Sequence, residues 1–372
     1  MSNSKENSPV VLQVLPELEM GGVERGTVEI ATYMQQHGIK NFVASQGGRM
    51  VYDLEKAKVP HLTLPLKSKN IFKMRANAKK LEQFIRDNGI NIVHARSRAP
   101  AWSAYWAAKR AGVHFMTTFH GTYGLGPWGI KKLYNRIMTY GERVIAISEH
   151  IKKHILGNYK IAEGKIRLVH RCVDIEKFTP DTVSQERIIK PVLLLIGRLT
   201  NWKGQHLLIE ALSLLKHKDF YCLIVGPDQG RVKYSEYLRE LVKKYHLEGS
   251  VAFYGQTSDV SALMMVSNVV LSTAIEPEAF GRISIEGQAM GKVVVASNIG
   301  GSLDTITDGV TGKFFYSNNP ASLAEAIDWA LDLSPDEVRK IAKAGIKNVH
   351  DNFTKDIMCE KTVAVYKELL NN

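Results

Sequence analysis

Residues 269–290 read V-V-L-S-T-A-I-E-P-E-A-F-G-R-I-S-I-E-G-Q-A-M, and this stretch carries most of the information about the fold. Val269 to Ser272 has the composition of a buried strand, whereas Ile285 and Ala289 belong to an apolar pattern at helical spacing. The intervening segment is therefore expected to be a loop that leads into a helix. A strand followed closely by a helix is the repeating unit of a parallel sheet.

Two carboxylates frame this predicted helix start: Glu278 lies in the loop and Glu286 lies almost two turns into the helix. A helix N-terminus presents free backbone N–H groups and a partial positive charge, which suit a phosphate or a sugar hydroxyl. Carboxylates accept hydrogen bonds from hydroxyl groups, so the two acids could hold two sugars of one ligand. The alternative is that both are solvated acids at the edge of a helix.

The strand–helix alternation extends through the chain in two halves. Predicted strands of the first half are Val10 to Leu15, Asn41 to Ala44, Ile92 to His94, Phe115 to Phe119, Arg143 to Ile147 and Ile166 to Val169. Those of the second are Val192 to Ile196, Tyr221 to Val225, Val251 to Tyr254, Val269 to Ser272, Val293 to Ala296 and Gly312 to Phe315. Helical patterns between them predict an α/β protein with two doubly wound, Rossmann-like domains.

The polar stretch Asp181 to Lys190 is the predicted linker. It divides the chain into an N-terminal domain, 1–185, and a C-terminal domain, 186–354. A final helix, 355–372, is expected to pack back toward the N-terminal domain. Ligands of such folds bind at the carboxyl ends of the strands, so we expect the site in a cleft across which the two domains face each other.

Composition describes a globular protein, with 45% hydrophobic and 23% charged residues in 372. The three cysteines, Cys172, Cys222 and Cys359, are far apart and lack metal-ligand spacing, which favours a reducing compartment. Residues 1–8 contain no apolar signal region, and no apolar run is long enough to span a bilayer. The sequence therefore predicts a cytoplasmic protein.

The net charge of +12 calls for an anionic partner. Six cations cluster within the segment 67–80: Lys67, Lys69, Lys73, Arg75, Lys79 and Lys80. Apolar residues at three and four spacings share this segment, which is typical of a basic amphipathic helix at an anionic membrane. An ordinary surface helix with its apolar stripe on the core fits the same pattern.

Three further strand ends carry candidate residues. Gly21 and Gly22 follow the first strand, where glycine allows a ligand close to the backbone, although such a pair is often only a turn. His120 ends the strand Phe115 to Phe119, where it can face a ligand or be structural. Arg198 and Lys203 flank the turn after Val192 to Ile196 and could both reach a diphosphate, or be solvated.

As a set, these residues resemble the motifs of the family-4 retaining glycosyltransferases, which have the GT-B fold. The resembling elements are Gly21-Gly22, His120, Gly197-Arg198-x-x-x-x-Lys203-Gly204 and Glu278-x-Phe280-Gly281-x-x-x-x-Glu286. The resemblance covers nearly the whole chain. Where the family commonly has Asn-Gly before a Val-Asp pair, this chain has Arg171-Cys172. Arg282 replaces a residue that is commonly apolar. The sequence assigns no role to these three residues beyond a possible phosphate contact for Arg282.

The resemblance implies roles for the site residues. Arg198 and Lys203 would hold the donor diphosphate, and Glu286 the ribose. Ile283 belongs to the same donor-binding segment, as does Arg282, which departs from the family pattern and would add a cation near the phosphates. Glu278 and the backbone N–H groups of Phe280 and Gly281 would orient the transferred sugar, and His120 would face it. Gly21 and Gly22 would admit phosphate and acceptor. The family needs no divalent metal, and the chain contains no Asp-x-Asp. We therefore expect no cofactor beyond the donor co-substrate, with retention of configuration.

The segment Glu17 to Glu29 is similar to the subgroup that builds lipopolysaccharide cores and related glycolipids. The leading expectation for the donor is GDP-mannose, which would make the protein a mannosyltransferase, and the alternative is UDP-glucose or another UDP-hexose. A glycolipid acceptor and the basic segment predict a peripheral protein on the inner face of the cytoplasmic membrane.

Other classes fit less well. A nicotinamide-dependent dehydrogenase would need Gly-x-Gly-x-x-Gly after a strand, which both domain starts lack. A nucleic-acid-binding protein would fit the charge but not the acids and glycines at the strand ends. A nucleotide-sugar epimerase of the same fold is the nearest enzymatic alternative.

Overall fold

The computed structural model describes residues 8–124, 126, 129–180, 190–257 and 259–371. The chain divides into two compact units. The first runs to Arg171 and includes the chain from Lys355 onward, whereas the second runs from Cys172 to Thr354. The predicted linker, Asp181 to Lys190, lies outside the described residues except for Lys190.

The first unit is built on a parallel sheet with the strand order β3-β2-β1-β4-β5-β6-β7. Its strands are β1 (Val11–Val14), β2 (Asn41–Ser45), β3 (His61–Thr63), β4 (Ile92–Ala95), β5 (His114–Phe119), β6 (Arg143–Ala146) and β7 (Ile166–Leu168). Its helices are α1 (Gly22–Gln36), α2 (Val51–Lys56), α3 (Ile71–Asn88), α4 (Arg98–Ala111), α5 (Ile130–Asn135), α6 (Glu149–Asn158) and α14 (Lys355–Leu370). Short 3-10 turns cover Arg136–Thr139 and Glu163–Lys165.

The second unit contains a parallel sheet with the order β10-β9-β8-β11-β12-β13. Its strands are β8 (Val192–Ile196), β9 (Tyr221–Val225), β10 (Val251–Gly255), β11 (Val269–Ser272), β12 (Val293–Ser297) and β13 (Lys313–Phe315). Its helices are α7 (Gln205–Leu214), α8 (Val232–Lys244), α9 (Val260–Val266), α10 (Arg282–Ala289), α11 (Ser302–Thr305), α12 (Pro320–Asp332) and α13 (Pro335–Asn352), and Asn201–Lys203 is a 3-10 turn.

The predicted pair of doubly wound parallel sheets is therefore confirmed. Central strands such as β11 are buried along their whole length, which explains their continuous apolar runs. The sequence did not predict β3, because this edge strand has only three residues and is bounded by Pro60 and Pro65. The helix α5 does not continue beyond Asn135, because Arg136–Thr139 form a 3-10 turn.

The boundary between the two units along the chain lies between Arg171 and Cys172, whereas the sequence placed it near residue 185. The first ends at Arg171, and residues 172–180 belong to the second. There the backbone N–H of Val173 donates to the carbonyl oxygen of Phe353 at 2.9 Å, beside the end of α13. This backbone pairing assigns the segment to the second unit.

The C-terminal helix α14 is anchored in the first unit. Tyr366 is fully buried, and its hydroxyl lies 2.7 Å from Nδ1 of His94 on β4. Glu368 accepts hydrogen bonds at 2.8 Å from Nε of Arg143 and from Nε of Arg167. The helix thereby connects β4, β6 and β7 although it is distant from them in sequence.

Burial of the apolar side of α3 distinguishes between the two interpretations of the basic segment. Met74, Ala78, Leu81 and Ile85 form its apolar side and are buried in the core of the first unit. The apolar stripe is therefore not available to a membrane, and the helix is a surface helix with a cationic outer face. Among the described residues, no helix is both long and apolar enough to cross a bilayer.

Candidate functional site

The loops after β8 and β11 touch at the carboxyl edge of the second sheet, where these two strands are neighbours. Gly204 has a φ of +72°, and a Cβ there would overlap the carbonyl oxygen of Thr273. The hydroxyl of Thr273 donates to the carbonyl oxygen of Lys203 at 2.9 Å. Because β8 and β11 lie where the strand order reverses, this contact is at the position where ligands of such sheets bind.

An ion pair joins the same two loops. Nζ of Lys203 lies 2.5 Å from Oε1 of Glu278, and the side chains are only 16% and 13% exposed. The ammonium group also lies 4.7 Å from the centroid of the Trp202 ring. Both charges are largely shielded from solvent, so each depends on the other unless a ligand replaces one of them.

A second ion pair lies on the first turns of α10. Nη2 of Arg282 donates to Oε1 of Glu286 at 2.8 Å, and the side chain of Glu286 is 7% exposed. Gly281 caps this helix with a φ of +77°, a conformation that favours glycine. Phe280 is buried against Phe353, with ring centroids 5.8 Å apart. The sequence left the role of Arg282 open, and the structure places it on Glu286.

The other two predicted residues of this unit are less constrained. Arg198 is exposed in the β8 loop, and its carbonyl oxygen accepts a hydrogen bond from Nε2 of Gln205 at 2.9 Å. Ile283 is half-buried at the start of α10. The ion pairs of this edge thus involve Lys203 and Arg282, whereas the guanidinium of Arg198 faces solvent.

Sequence reasoning did not single out the glycine pair after β12. The N–H of Gly301 donates to the carbonyl oxygen of Glu278 at 2.8 Å, and a Cβ on Gly301 would overlap the backbone of Phe280. Gly300 has a φ of +63°, and a Cβ there would overlap the backbone of Glu278. The pair therefore supports the loop that carries Glu278. The available signal was a Gly-Gly-Ser two residues beyond a buried strand.

In the first unit, Gly21 and Gly22 form the start of α1. Gly21 has a φ of −165°, which any residue adopts, so backbone strain does not explain this glycine. A Cβ on Gly21 would overlap the carboxylate of Glu24, which folds back over the turn. A guanidinium nitrogen of Arg171 donates to the carbonyl oxygen of Gly22. The turn therefore lies between a carboxylate and a cation.

His120 follows β5 at the carboxyl edge of the first sheet. Its Nε2 is buried and has no hydrogen-bond partner among the residues that the structure describes. Burial holds its pKa well below the usual value, and the charges of Arg96 and Arg171 lower the pKa further. The imidazole is therefore neutral at pH 7.

Within the described ranges, no group of three or more His, Cys, Asp or Glu side chains is placed to hold a metal ion.

Known families match both halves of the chain. Residues 20–177 match the model described as Glycosyltransferase Family 4, and residues 181–348 match Glycosyl transferases group 1. The chain spans 60% of the length of each of two curated glycosyltransferases to which it is 27% identical.

Solved structures are similar over nearly the full chain. A glycosyltransferase from Rickettsia africae ESF-5 is 41% identical with a TM-score of 0.90, over 98% of this chain and 100% of that one. Anabaena Alr3699/HepE in complex with UDP has 21% identity and a TM-score of 0.84, over 96% and 99%. WaaG, a glycosyltransferase involved in lipopolysaccharide biosynthesis, has 18% identity and a TM-score of 0.72, over 96% and 99%. The two doubly wound units, the residues at their strand ends and these matches lead to one conclusion: the chain belongs to the family-4 glycosyltransferases of the GT-B fold.

Proposed function

We propose that this glycosyltransferase moves a hexose from a nucleoside diphosphate donor to a glycolipid acceptor with retention of configuration. The observation that carries the proposal is the arrangement of two shielded cation–carboxylate pairs, Lys203–Glu278 and Arg282–Glu286, around the N-terminus of α10. A diphosphate supplies the anion that such cations bind, and hydroxyl groups supply the donors that such carboxylates accept.

In this proposal, donor binding replaces the ion pair between Lys203 and Glu278 with contacts between each residue and the donor. The diphosphate takes the place of Glu278 beside Lys203, and the exposed Arg198 closes on it from the same loop. Glu286, held by Arg282, accepts hydrogen bonds from the ribose. Glu278 and the N–H groups of Phe280 and Gly281 then orient the hexose. The glycine pair after β12 supports this arrangement because it fixes the Glu278 loop.

The proposed reaction breaks the bond between the anomeric carbon and the diphosphate oxygen. The electron pair leaves with the diphosphate, while Lys203, Arg198 and the N-terminus of α10 stabilise the growing negative charge without a divalent metal. The acceptor hydroxyl attacks the oxocarbenium-like carbon from the face that the diphosphate leaves. Its proton passes to the departing phosphate oxygen. The family resemblance gives His120 the position facing the transferred sugar, and burial keeps its imidazole neutral at pH 7.

The donor is GDP-mannose or a UDP-hexose. GDP-mannose is the leading candidate from the sequence, whereas the UDP complex of the Anabaena structure favours a uridine nucleotide. The similarity to WaaG supports a lipopolysaccharide core or related glycolipid as acceptor.

A cationic surface on the first unit supports a lipid-linked acceptor. Lys69, Lys73, Lys79 and Lys80 are exposed on or next to α3, while Lys67 is exposed but pairs with Glu17 at 2.8 Å. At the first turn of α3, Phe72 is 74% exposed and Ile71 is 43% exposed. Each exposed lysine near an anionic bilayer contributes roughly 1 kcal/mol. We propose that this basic surface holds the protein on the inner face of the cytoplasmic membrane.

Thermal-shift titration tests the donor assignment, with GDP, UDP, GDP-mannose and UDP-glucose as ligands. A ligand at 100 times its dissociation constant stabilises a protein by roughly 2.7 kcal/mol. We expect one nucleotide family to stabilise the wild type, and Lys203→Ala and Glu286→Gln to lose the effect. Lys343→Ala, which removes an exposed lysine of α13, is the matched control. Equal shifts in all variants would contradict the proposed donor site.

Vesicle sedimentation tests the membrane assignment. The wild type should bind vesicles that contain anionic lipid and not purely neutral ones. Lys79→Ala/Lys80→Ala and Phe72→Ser should weaken binding, whereas the control Lys340→Ala/Lys343→Ala on α13 should not. Equal binding to neutral and anionic vesicles, or loss of binding in the control alone, would count against the basic surface.

A further inference from the structure

Two buried side-chain nitrogens, Nε of Arg96 and Nε2 of His120, lie at the carboxyl edge of the first sheet without a hydrogen-bond partner among the described residues. Arg96 directly follows β4, and its backbone N–H donates to Val14 of β1 at 2.9 Å. His120 directly follows β5, the next strand of the sheet. The strand order reverses between β1 and β4, and ligands of open α/β sheets bind at such a reversal. The two residues are therefore at a position that suits a ligand.

Both side chains lack the partners that buried polar groups normally have. Arg96 is 2% exposed, and neither its Nε nor Nε2 of His120 has a hydrogen-bond partner among the described residues. Burial lowers the pKa of Arg96 to about 10, which still leaves the guanidinium charged at pH 7. Unsatisfied buried polar atoms are rare in native proteins and costly. A ligand anion would accept a hydrogen bond from Nε of Arg96 and, in the tautomer that carries hydrogen on Nε2, from His120.

A second guanidinium lies close to the first. Arg171 comes from beyond β7, donates to the carbonyl oxygen of Gly22, and fills the space that a Cβ on Gly26 would occupy. Both arginines act electrostatically on His120, and each acts on the other. The sequence had marked Arg171 as a departure from the family pattern without a role.

Besides Arg171, three groups act electrostatically on Arg96. They are Glu29 on α1 and, from α14, Tyr366 and Cys359. Burial raises the pKa of Tyr366, so its hydroxyl is neutral. Arg96 and Arg171 lie beside the first turns of α1, whose backbone N–H groups add positive potential, while Glu24 places its carboxylate over the Gly21 turn.

We propose that Arg96 and Arg171, with the imidazole of His120, form an anion-binding site beside the Gly21–Gly22 turn, and that this site takes a phosphate group carried by the acceptor. The assignment rests on the proposed function, because it gives the acceptor of that reaction a phosphate. It also assigns a role to Arg171, because a guanidinium group beside the Gly21–Gly22 turn can bind an anion through charge-assisted hydrogen bonds of fixed geometry.

Inorganic phosphate is the probe, in an Arg198→Ala/Lys203→Ala background that disables the proposed diphosphate site. Thermal stability is measured in sodium phosphate and in sodium chloride at equal ionic strength. We expect phosphate to stabilise this double variant more than chloride does. Adding Arg96→Gln or Arg171→Gln should raise the apparent Kd for phosphate at least tenfold, while adding Lys343→Ala should not change it. An unchanged phosphate response after both glutamine substitutions would overturn the site, as would the absence of any phosphate effect in the double variant.

Two further measurements distinguish loss of the site from misfolding and from loss of donor binding. If Arg96→Gln does not fold, His120→Gln and Arg96→Lys provide the same comparison, with the phosphate response lost in the first and retained in part in the second. Nucleotide affinity is then measured for Arg96→Gln in the otherwise unchanged protein, or for His120→Gln in its place. Affinity within twofold of the wild type supports an acceptor phosphate, whereas a parallel tenfold loss would make the donor diphosphate the occupant and overturn the acceptor assignment. Failure of the donor site itself would appear separately, as a wild type that binds no nucleotide.

Discussion

The ammonium nitrogen of Lys203 lies 2.5 Å from a carboxylate oxygen of Glu278, across the contact between the β8 and β11 loops. In the ligand-free protein each charge is thus the partner of the other. A donor diphosphate that binds Lys203 must displace this carboxylate or bind beside it. We therefore expect the negative charge of Glu278 to weaken binding of the donor diphosphate. The same carboxylate should strengthen binding of the hexose by accepting its hydrogen bonds.

Glu278→Gln separates these two effects. Removal of a negative charge beside the diphosphate should make the nucleoside diphosphate bind roughly 3- to 10-fold more tightly, since a tenfold change corresponds to about 1.4 kcal/mol. Turnover of the complete donor should fall because the hexose loses a hydrogen-bond acceptor. Calorimetric titration and initial rates measure both quantities. Glu276→Gln, on an exposed residue of the same loop, is the control. Weaker nucleoside diphosphate binding in Glu278→Gln would refute the competition.

Arg198→Ala and Lys203→Ala should each lower turnover by about 100-fold or more, by analogy with the loss of an oxyanion donor. Their effects on stability should differ. Arg198 is exposed, so its removal should leave the melting temperature unchanged. Lys203→Ala leaves a shielded carboxylate without its partner and should destabilise the protein, and adding Glu278→Gln should restore stability without restoring turnover. Near wild-type rates in the single variants would mean that the diphosphate binds elsewhere.

Gly301→Ala tests the support of the Glu278 loop. The new methyl group would overlap the backbone of Phe280, so the loop must shift, at a cost of about 1–3 kcal/mol in unfolding free energy. Nucleotide-sugar affinity should fall with it. Urea denaturation and ligand titration provide the measurements. Gly249→Ala adds a methyl group in open space and should change neither quantity. Equal behaviour of the two variants would mean that the glycine contact does not position the loop.

The buried imidazole of His94 predicts a pH dependence of stability. Its nitrogens lie 2.7 Å from Tyr366 Oη and 2.7 Å from Thr118 Oγ1, and burial together with the charge of Arg96 holds its pKa well below the usual value. The unfolded chain protonates this histidine near pH 6.5 whereas the folded protein does not. The contribution to stability is therefore complete above about pH 6.5 and decreases as the pH falls below that value, with a slope of up to about 1.4 kcal/mol per pH unit.

Urea denaturation between pH 7.5 and pH 5.5 measures that slope. His94→Gln should be less stable at every pH but should show a shallower dependence, because one titrating group is gone. His120 adds a contribution of the same sign, since its pKa is also lowered. His37→Gln, at an exposed position, should keep the wild-type slope. Parallel curves for His94→Gln and the wild type would disprove the assignment.

Much of the fold could be predicted from local pattern. Apolar runs such as Val269 to Ser272 identified the strands because central strands of a parallel sheet are buried on both faces. The short edge strand His61–Thr63 escaped prediction because three residues with an exposed end carry little pattern. The spacing of apolar residues in α3 was consistent with a helix on a membrane or with a helix on the protein core, because both environments favour the same amphipathic pattern. The tertiary structure shows that these residues are buried in the core.

The sequence by itself determined the class of protein, because strand ends, glycine turns and charged residues follow one another at short range in the chain. It also identified the candidate ligand-binding residues. Tertiary structure decided their partners: Lys203 meets Glu278 across 75 positions, and Arg171 meets Gly22 across 149. Distances between such residues depend on how parallel strands are ordered, not on spacing along the chain. The charge that each carboxylate and guanidinium faces is therefore a property of the assembled sheet.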